Sequence, residues 1–284
     1  MHIILGGTGH VGSAVTAELL GREEAVTIVT QNASKATHWI ERGATVAECN
    51  VNDSDALRAI FRTGRRAFLL NPPGSVGGDV DREERATIAA ILLALDGSGL
   101  EKVVAESTYG AQPGDQIGDL GTLHDLEAGL AAQPIPAAVN RAAYYMSNLD
   151  MLLDAARSGA IPTMFPADLG IPMVAPADLG RAAVERLVSP VEDAGVRYIE
   201  GPARYSFADV AEAFGSALGR RVEVQQIPRE GWIDAFKRQG FSDAAARSYA
   251  GMTAVAVDGG AAEPENPTRG VVTLREYVAE LVGR

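Results

Sequence analysis

Short apolar runs alternate with longer amphipathic segments through the first half of the chain. Each run is four to six residues long, and most are apolar throughout, which is typical of parallel strands covered on both faces. Because strict alternation of apolar and polar positions is absent, a half-exposed antiparallel sheet is disfavoured. Six strands are predicted, at residues 2–5, 25–30, 44–48, 67–70, 102–106 and 136–140.

The amphipathic segments between these runs predict helices at residues 10–21, 34–42, 54–62, 80–97 and 120–132. Residues that favour N-caps precede the second and third of them, and glycines stand where the first three end, at positions 21, 43 and 64. This regular succession of strands and helices implies βαβ units with right-handed crossovers. The predicted fold class is therefore α/β, with a doubly wound parallel sheet.

Strands and helices no longer alternate regularly after about residue 143. Prolines at 162, 166, 172 and 176 are expected to break the chain into loops. Helices are predicted near 149–157, 177–188, 206–218, 230–239, 242–250 and 273–282, strands at 196–200 and 222–227, and an exposed loop over 257–270. The expected organisation is a larger domain at residues 1–143 and a smaller α+β lobe at residues 144–284, with residues 176–200 packing back on the first sheet.

Charge and composition exclude several classes of protein. The formal net charge is −12, and no basic cluster of the kind that neutralises nucleic-acid phosphates is present. The single cysteine, Cys49, cannot form an internal disulfide and fits a reducing compartment. No apolar stretch approaches the ~20 residues of a membrane span, and no signal sequence is visible. We therefore expect a cytoplasmic protein with a small-molecule substrate and no nucleic-acid or membrane partner, and a homodimer is compatible with the sequence.

Three glycines at the first strand–helix junction carry the most specific chemistry. Gly6, Gly9 and Gly12 form a G-x-x-G-x-x-G motif, which lets the chain turn sharply and approach a pyrophosphate closely. The N-terminus of the following helix adds partial positive charge. A dinucleotide is the predicted ligand of a Rossmann domain, and the expected contacts are Gly6, Thr8, Gly9, His10, Val11 and Gly12.

The end of the second strand decides which dinucleotide binds. A carboxylate there would favour NAD through the ribose 2′-hydroxyl, and an arginine would favour NADP. The chain carries neither; it has donors that suit a phosphate, and a lysine one turn later, in Thr30, Gln31, Asn32 and Lys35. NADP(H) is therefore predicted over NAD(H), with the alternative that Lys35 is an ordinary solvated lysine.

The ordered set of motifs resembles the NmrA-like branch of the atypical short-chain dehydrogenase/reductase superfamily over nearly the whole chain. Beyond the glycine motif and the segment from Thr30 to Lys35, it rests on Asn71-Pro72-Pro73, Glu106-Ser107-Thr108 with Gly110, His124 and Glu127, Asn140-Arg141, Asn148, Asp178-Leu179-Gly180 and Ile199-Glu200-Gly201-Pro202. The family often carries arginine where Gln31 stands and an acidic residue where Asn50 stands.

The resemblance implies that NAD(P)(H) binds at the carboxyl ends of the strands. The expected additional contacts to the cofactor are Asn50, Val51, Asn71, Pro72, Pro73, Ser107, Thr108 and Asn140. Some family members reduce quinones, enones, imines or azo compounds, whereas others sense the nicotinamide redox state by binding partner proteins.

Candidate catalytic groups differ from those of ordinary short-chain dehydrogenases. None of the seven tyrosines is followed four residues later by lysine, so the usual Tyr-x-x-x-Lys route to alcohols is disfavoured. Tyr109 is a candidate hydrogen-bond donor to substrate, or else a packing aromatic. His124 and Glu127, three residues apart on one helix face, are candidates for a proton donor and the carboxylate that orients it, or else for a purely structural pair.

The sequence predicts an NAD(P)H-dependent oxidoreductase that delivers hydride to a small conjugated acceptor such as a quinone, enone or imine. Such acceptors are electrophilic enough to need little acid assistance, which agrees with the missing Tyr–Lys pair. The alternative is a non-catalytic NAD(P)-binding redox sensor. Scattered histidines and a lone cysteine give no zinc spacing, and neither a G-x-S-x-G elbow nor a P-loop is present.

Overall fold

The apolar runs form the centre of the molecule in a computed structural model that describes residues 1–284. Thirteen strands are present: β1 His2–Leu5, β2 Val26–Thr30, β3 Thr45–Glu48, β4 Arg66–Leu69, β5 Lys102–Thr108, β6 Ala137–Ala142, β7 Tyr144–Tyr145, β8 Ala160–Thr163, β9 Ile171–Val174, β10 Gly195–Glu200, β11 Arg204–Tyr205, β12 Glu223–Gln226 and β13 Thr268–Arg269. Eight of them form one parallel sheet in the order β13-β10-β6-β5-β4-β1-β2-β3.

Eleven α-helices surround the strands: α1 His10–Gly21, α2 Thr37–Glu41, α3 Ser54–Phe61, α4 Val80–Leu95, α5 Asp119–Ala131, α6 Leu153–Ser158, α7 Pro176–Val188, α8 Phe207–Leu218, α9 Trp232–Arg238, α10 Asp243–Val257 and α11 Leu274–Gly283. Short 3₁₀ helices cover Ala33–Ala36, Met146–Leu152 and Arg229–Gly231. None of the helices combines the length and the apolar character that crossing a bilayer requires.

Helices cover both faces of the large sheet, which explains its uniformly apolar strands. Side chains of α1 and α7 pack with Ile4, Phe68 and Val104 in one core cluster. Side chains of α3, α4 and α5 pack on the opposite face in a second cluster, around Leu69 and Val103. The predicted doubly wound α/β Rossmann fold is confirmed.

The second half of the chain contributes both to the large sheet and to a third core. Strand β10 pairs with β6, and α7 packs along α1, so residues 176–200 lie on the large sheet. The third core, around Met146 and Phe214, joins α8 and α11 to two small sheets, β11-β9-β7 and β12-β8. The domain boundary at residue 143 stays a prediction.

Most predicted elements in the first half match to within about two residues, and the differences lie at short elements. The helix predicted at 34–42 is divided between the 3₁₀ turn Ala33–Ala36 and α2. The expectation of loops at the prolines was wrong at three positions, because Pro162 and Pro172 lie inside β8 and β9 and Pro176 begins α7. The helix predicted at 242–250 continues to Val257, and β13 interrupts the predicted loop at 257–270.

Buried cations fix the loop after α7 to the amino ends of the central strands. The Lys102 Nζ donates to Pro190 O at 3.0 Å and to Ser189 Oγ at 2.8 Å, although Lys102 is fully buried. Arg186, 1% exposed, donates to Val139 O at 2.9 Å and to Gly195 O at 2.8 Å. These bonds satisfy charges that would otherwise be unpaired in the interior.

Helices α1 and α7 touch backbone to backbone. A Cβ atom at Gly180 would lie 2.6 Å from Ala14 Cβ and 2.7 Å from Ala14 C, distances that neither rigid helix can relieve by rotating a side chain. The absence of a side chain at Gly180 is therefore a condition for this packing, which holds α1 against the sheet.

We expect Gly180→Ala to lower the free energy of unfolding by roughly 1–3 kcal/mol, since the added methyl group overpacks a backbone contact. Gly21→Ala is the matched control, because nothing lies within 4 Å of its Cβ position. That control should be neutral or slightly stabilising through helix propensity. Urea denaturation of both variants measures the difference, and equal midpoints would contradict the close approach of α1 and α7.

Candidate functional site

The glycine motif forms a tight turn between β1 and α1. Gly6 has φ +67°, and the Gly9 N–H donates to Gly6 O at 2.9 Å. A Cβ atom at Gly12 would lie 2.1 Å from Gly6 O, so only glycine lets the helix pack this closely on the turn. At Gly9 the corresponding Cβ position meets only Gly6 O, at 3.5 Å, which is an ordinary contact. The first and third glycines therefore shape the turn, and the second leaves space above it.

The N-terminus of α1 is open. Its N-cap is Gly9, which has no side chain to accept from the helix, and the first turn contains no acidic residue. The first helical N–H groups, of His10, Val11 and Gly12, have no partner within a helix by geometry. Gly9 and His10 are exposed, Thr8 is half-buried, and the Val11 side chain is buried in the core. Only the backbone of Val11 is therefore available to a ligand.

A cavity of about 360 Å³ opens beside this turn. It is lined by Thr8, Gly9, His10 and Ser13, by Ala175, Pro176 and Ala177 before and within α7, and by Val272, Tyr277, Glu280 and Arg284 near or in α11. A larger groove of about 910 Å³ lies between α8 and β12, and none of the predicted site residues lines it.

The segment after β2 is organised by its own side chains. The Asn32 Oδ1 accepts from Ser34 N at 3.0 Å and from Ser34 Oγ at 2.6 Å, as an N-cap does. The Thr30 Oγ1 accepts from Asn32 N at 3.2 Å. Lys35 is exposed and forms no ion pair. Lys35 is therefore the one predicted phosphate ligand in this segment that carries a charge, and no carboxylate pairs with that charge.

The segment after β2 contains no carboxylate, but one reaches it from the neighbouring strand. Glu48, the last residue of β3, lies opposite Thr30 at the end of β2, and its Oε2 accepts from Ala33 N at 3.1 Å. Sequence reasoning sought an acidic residue only after the second strand. The signal that could have found Glu48 is its place at the carboxyl end of the neighbouring strand.

The segment after β3 lies beside the segment after β2. The Asn50 Oδ1 accepts from Asn52 N at 3.1 Å and from Gln31 Nε2 at 3.5 Å. Val51 is 8% exposed and packs in the second core cluster. The exposed Asn50 side chain can therefore contact a ligand, whereas only the backbone of the buried Val51 can do so.

At the end of β4, Asn71 has a buried Oδ1 with no hydrogen-bond partner. Pro72 is half-buried and Pro73 exposed, and the Gly74 N–H donates to Glu84 Oε1 at 3.1 Å. The Glu84 carboxylate also accepts from Thr122 Oγ1 at 2.8 Å, so it joins this loop to α4 and α5. An unpaired buried acceptor next to the strand ends fits a ligand that donates a hydrogen bond.

The structure gives Glu127 a partner other than the expected His124. Its carboxylate binds Arg141 through Nε at 2.9 Å and Nη2 at 2.7 Å, and it accepts from Ser107 Oγ. The Arg141 Nη1 donates to Tyr198 Oη at 2.8 Å, which links α5 to β10 through β6. The His124 Nδ1 is buried without a hydrogen bond and lies 3.8 Å from Asp125 Oδ1. The His124–Glu127 pair is therefore corrected to a Glu127–Arg141 pair.

Tyr109, just after β5, directs its hydroxyl to Glu200 at the end of β10 in the same sheet. It donates to Glu200 Oε1 at 2.6 Å, and Arg269 Nη1 lies 2.8 Å from the Glu200 Oε2. Burial, followed by this hydrogen bond, raises the pKa of Tyr109. Thr108, just before it, is half-buried at the end of β5. Tyr109 therefore keeps its proton and stabilises a buried carboxylate.

Asn140 and Glu106 lie opposite each other on β6 and β5, inside the sheet. Asn140 is fully buried, and its Oδ1 accepts from Arg186 Nη1 at 3.2 Å. Glu106 is 1% exposed, and burial raises its pKa well above the ordinary range. Asn140 is therefore engaged within the sheet, and its contact with a cofactor stays a prediction.

Tyr145 is a further candidate for the site. It is half-buried on β7, beyond the carboxyl end of β6, and its hydroxyl forms no hydrogen bond within the chain. Burial, then the nearby Glu106 and Asp119, raises its pKa, so it holds its proton.

No group of three or more His, Cys, Asp or Glu side chains is arranged to bind a metal ion.

Comparisons with known proteins identify the family of the chain and relatives of its fold. The sequence model of the NmrA-like family matches residues 2–263. The nitrogen metabolite regulation-like protein bik4 of Gibberella fujikuroi is 26% identical over 280 residues, covering 87% of this chain and 83% of that protein. The NAD(P)H azoreductase of Xenophilus azovorans is 23% identical over 256 residues, covering 90% and 87%. The triphenylmethane reductase of Citrobacter sp. complexed with NADP(H) has a TM-score of 0.81 at 19% identity, covering 99% of each chain.

The buried Glu84 carboxyl should make the stability of the fold depend on pH. Burial, followed by the charge of Asp119, raises its pKa from 4.5 to about 7. The folded chain therefore binds this proton more tightly than the unfolded chain, and stability falls as pH rises from about 4.5 to 7. We expect a loss of roughly 1–3 kcal/mol across this interval, which Glu84→Gln reduces because it removes the titrating group.

Thermal unfolding of wild type and Glu84→Gln at the two ends of this pH interval measures the effect. Glutamine keeps an acceptor oxygen for Gly74 N–H, so the variant preserves the loop contact. A wild-type melting temperature that changes with pH by the same amount as that of the variant would contradict the raised pKa of Glu84.

Proposed function

Because this chain belongs to the NmrA-like family, we propose that it is an NAD(P)H-dependent oxidoreductase. Its proposed substrate is a small conjugated acceptor, a quinone, enone or imine, and its reaction is the reduction of that acceptor by hydride. The azoreductase among its relatives and the triphenylmethane reductase among similar structures support a reductase. A small-molecule substrate is the proposed partner, and a homodimer stays a prediction.

The open N-terminus of α1 above the glycine turn is the observation that carries this proposal. Backbone N–H groups without a side-chain cap, and a first turn without acidic residues, suit the pyrophosphate of a dinucleotide. The Gly12 position, where any Cβ would strike Gly6 O, gives the turn the shape this binding mode needs. The residues present therefore fit a nicotinamide dinucleotide.

We propose NADP(H) in preference to NAD(H). Lys35 is an exposed cation without an ion pair, placed after the strand end where the adenosine ribose lies in Rossmann domains. The Citrobacter enzyme, to which the fold is similar, was solved with NADP(H). Thr30, Gln31 and Asn32 would complete the ribose side, and Asn50 and the Val51 backbone the adenine side.

The residues at the other end of the cleft orient the reacting groups. When bound, the reduced nicotinamide supplies the hydride. The unpaired Asn71 Oδ1 is the proposed acceptor of a hydrogen bond from the bound molecules. Pro72, Pro73, Ser107 and Thr108, which follow β4 or end β5, are the other proposed contacts at this end of the cleft. A conjugated acceptor needs a proton as well as a hydride. Tyr145, half-buried on β7 with a hydroxyl that has no hydrogen-bond partner within the chain, is the proposed donor of that proton.

Tyr109, His124 and Glu127 stay predicted catalytic groups. Each also has a place in the packing: Tyr109 on Glu200, Glu127 on Arg141, and His124 beside Asp125. These internal contacts favour positioning roles for Tyr109 and Glu127 rather than direct proton transfer.

A redox sensor that binds NAD(P) without turnover is the second candidate. Two observations favour it: the regulation-like protein bik4 among the relatives, and the internal bonds of the predicted catalytic side chains. A sensor would need the cofactor cleft but no substrate-facing proton donor.

We expect Gly9→Ala to fold with wild-type stability but to bind NADPH at least about tenfold more weakly, because its methyl group enters the space above the turn. Gly12→Ala should instead lower stability as well, since its methyl group strikes a backbone oxygen. Titration calorimetry with NADPH and urea denaturation separate the two effects. Unchanged affinity in Gly9→Ala would place the dinucleotide elsewhere.

Turnover distinguishes the enzyme from the sensor. We expect oxidation of NADPH, followed by its absorbance, with at least one member of a panel of quinones, enones, imines and azo dyes. Tyr145→Phe should lower kcat by about 10²-fold with little change in NADPH affinity, because it removes a proton donor. Binding of NADPH without turnover on any acceptor would favour the sensor.

A further inference from the structure

We propose that Glu48 is a specificity-determining residue for the cofactor: its carboxylate limits the preference for NADPH over NADH. The proposal rests on the proposed function, since it requires an adenosine ribose at the end of β2. Glu48 ends β3 directly beside Thr30, and its Oε2 accepts from Ala33 N at 3.1 Å. This bond fixes a negative charge on the segment that faces the ribose 2′-position in Rossmann domains.

The neutral side chains of this segment are already engaged with each other. The Asn32 Oδ1 is bound to Ser34, and the Thr30 Oγ1 to Asn32 N. The Gln31 Nε2 points to Asn50 Oδ1 at 3.5 Å. Two full charges remain to discriminate between a phosphate and a hydroxyl, the Lys35 ammonium and the Glu48 carboxylate.

These two charges do not neutralise each other. All ion pairs within 4.0 Å in the chain involve other residues, so Lys35 and Glu48 each lack an ionic partner. Each is exposed to a ligand separately. Lys35 attracts a 2′-phosphate, and Glu48 repels it while accepting a hydrogen bond from a 2′-hydroxyl.

The two nucleotides differ in charge at the position that Glu48 faces. A 2′-phosphate monoester carries about −1.5 to −2 charges near neutral pH, whereas the 2′-hydroxyl of NADH is neutral. Removing the carboxylate should therefore strengthen NADPH binding and weaken NADH binding slightly. The effect is electrostatic, so it must decline as ionic strength rises.

Glu48→Gln is the decisive substitution, because glutamine keeps an acceptor oxygen for Ala33 N–H and loses only the charge. We expect the ratio of the NADH to the NADPH dissociation constant to rise about five- to tenfold at low ionic strength, and less at about 0.5 M salt. Lys35→Ala should move the same ratio in the opposite direction. Fluorescence titration of both nucleotides measures these constants without any substrate.

Glu185→Gln is the matched control, since it removes one negative charge from an exposed position of α7. Its ratio should equal that of the wild type. A ratio unchanged in Glu48→Gln, or equal weakening of both nucleotides, overturns the role of Glu48 in specificity while leaving the proposed function intact. Failure of both nucleotides to bind the wild-type chain overturns the proposed function, and the role of Glu48 with it.

Discussion

The close approach of Gly12 to the Gly6 carbonyl is the constraint on which the rest of the site depends. It sets the start of α1 against the end of β1, so the helix axis and its free N–H groups are aimed over the carboxyl edge of the sheet. The contact of Gly180 with Ala14 holds the other side of the same helix. One helix is therefore fixed by two backbone contacts that allow no side chain, and its orientation leaves little freedom for alternatives.

The first half of the fold was predictable because its strands are buried on both faces and its helices have clear boundaries. Asn32 caps the 3₁₀ turn after β2, and Asp53 caps α3. The short strands of the second half were not, because β8 and β9 each contain a proline and belong to small sheets. Such strands are stabilised by tertiary packing, in this case against the third core. Local sequence does not reveal such packing.

The site was predictable only where it is local. The glycine turn lies within seven consecutive residues, so its spacing carries the information. The pairs Glu127–Arg141, Tyr109–Glu200 and Glu48–Ala33 join residues from different elements, and no periodicity connects them. Sequence reasoning therefore found the residues of the first two pairs but assigned Glu127 the wrong partner. It missed Glu48 because that residue enters from the adjacent strand.

The order of strands in the large sheet has a consequence for biosynthesis. Strands β10 and β13 complete the edge next to β6, yet they are contributed by residues beyond 194. During translation, the edge of β6 opposite β5 therefore stays unpaired until most of the polypeptide has been synthesised. The nascent intermediate thus exposes a hydrogen-bonding edge of the kind that invites aggregation, and molecular chaperones would shield it during this interval.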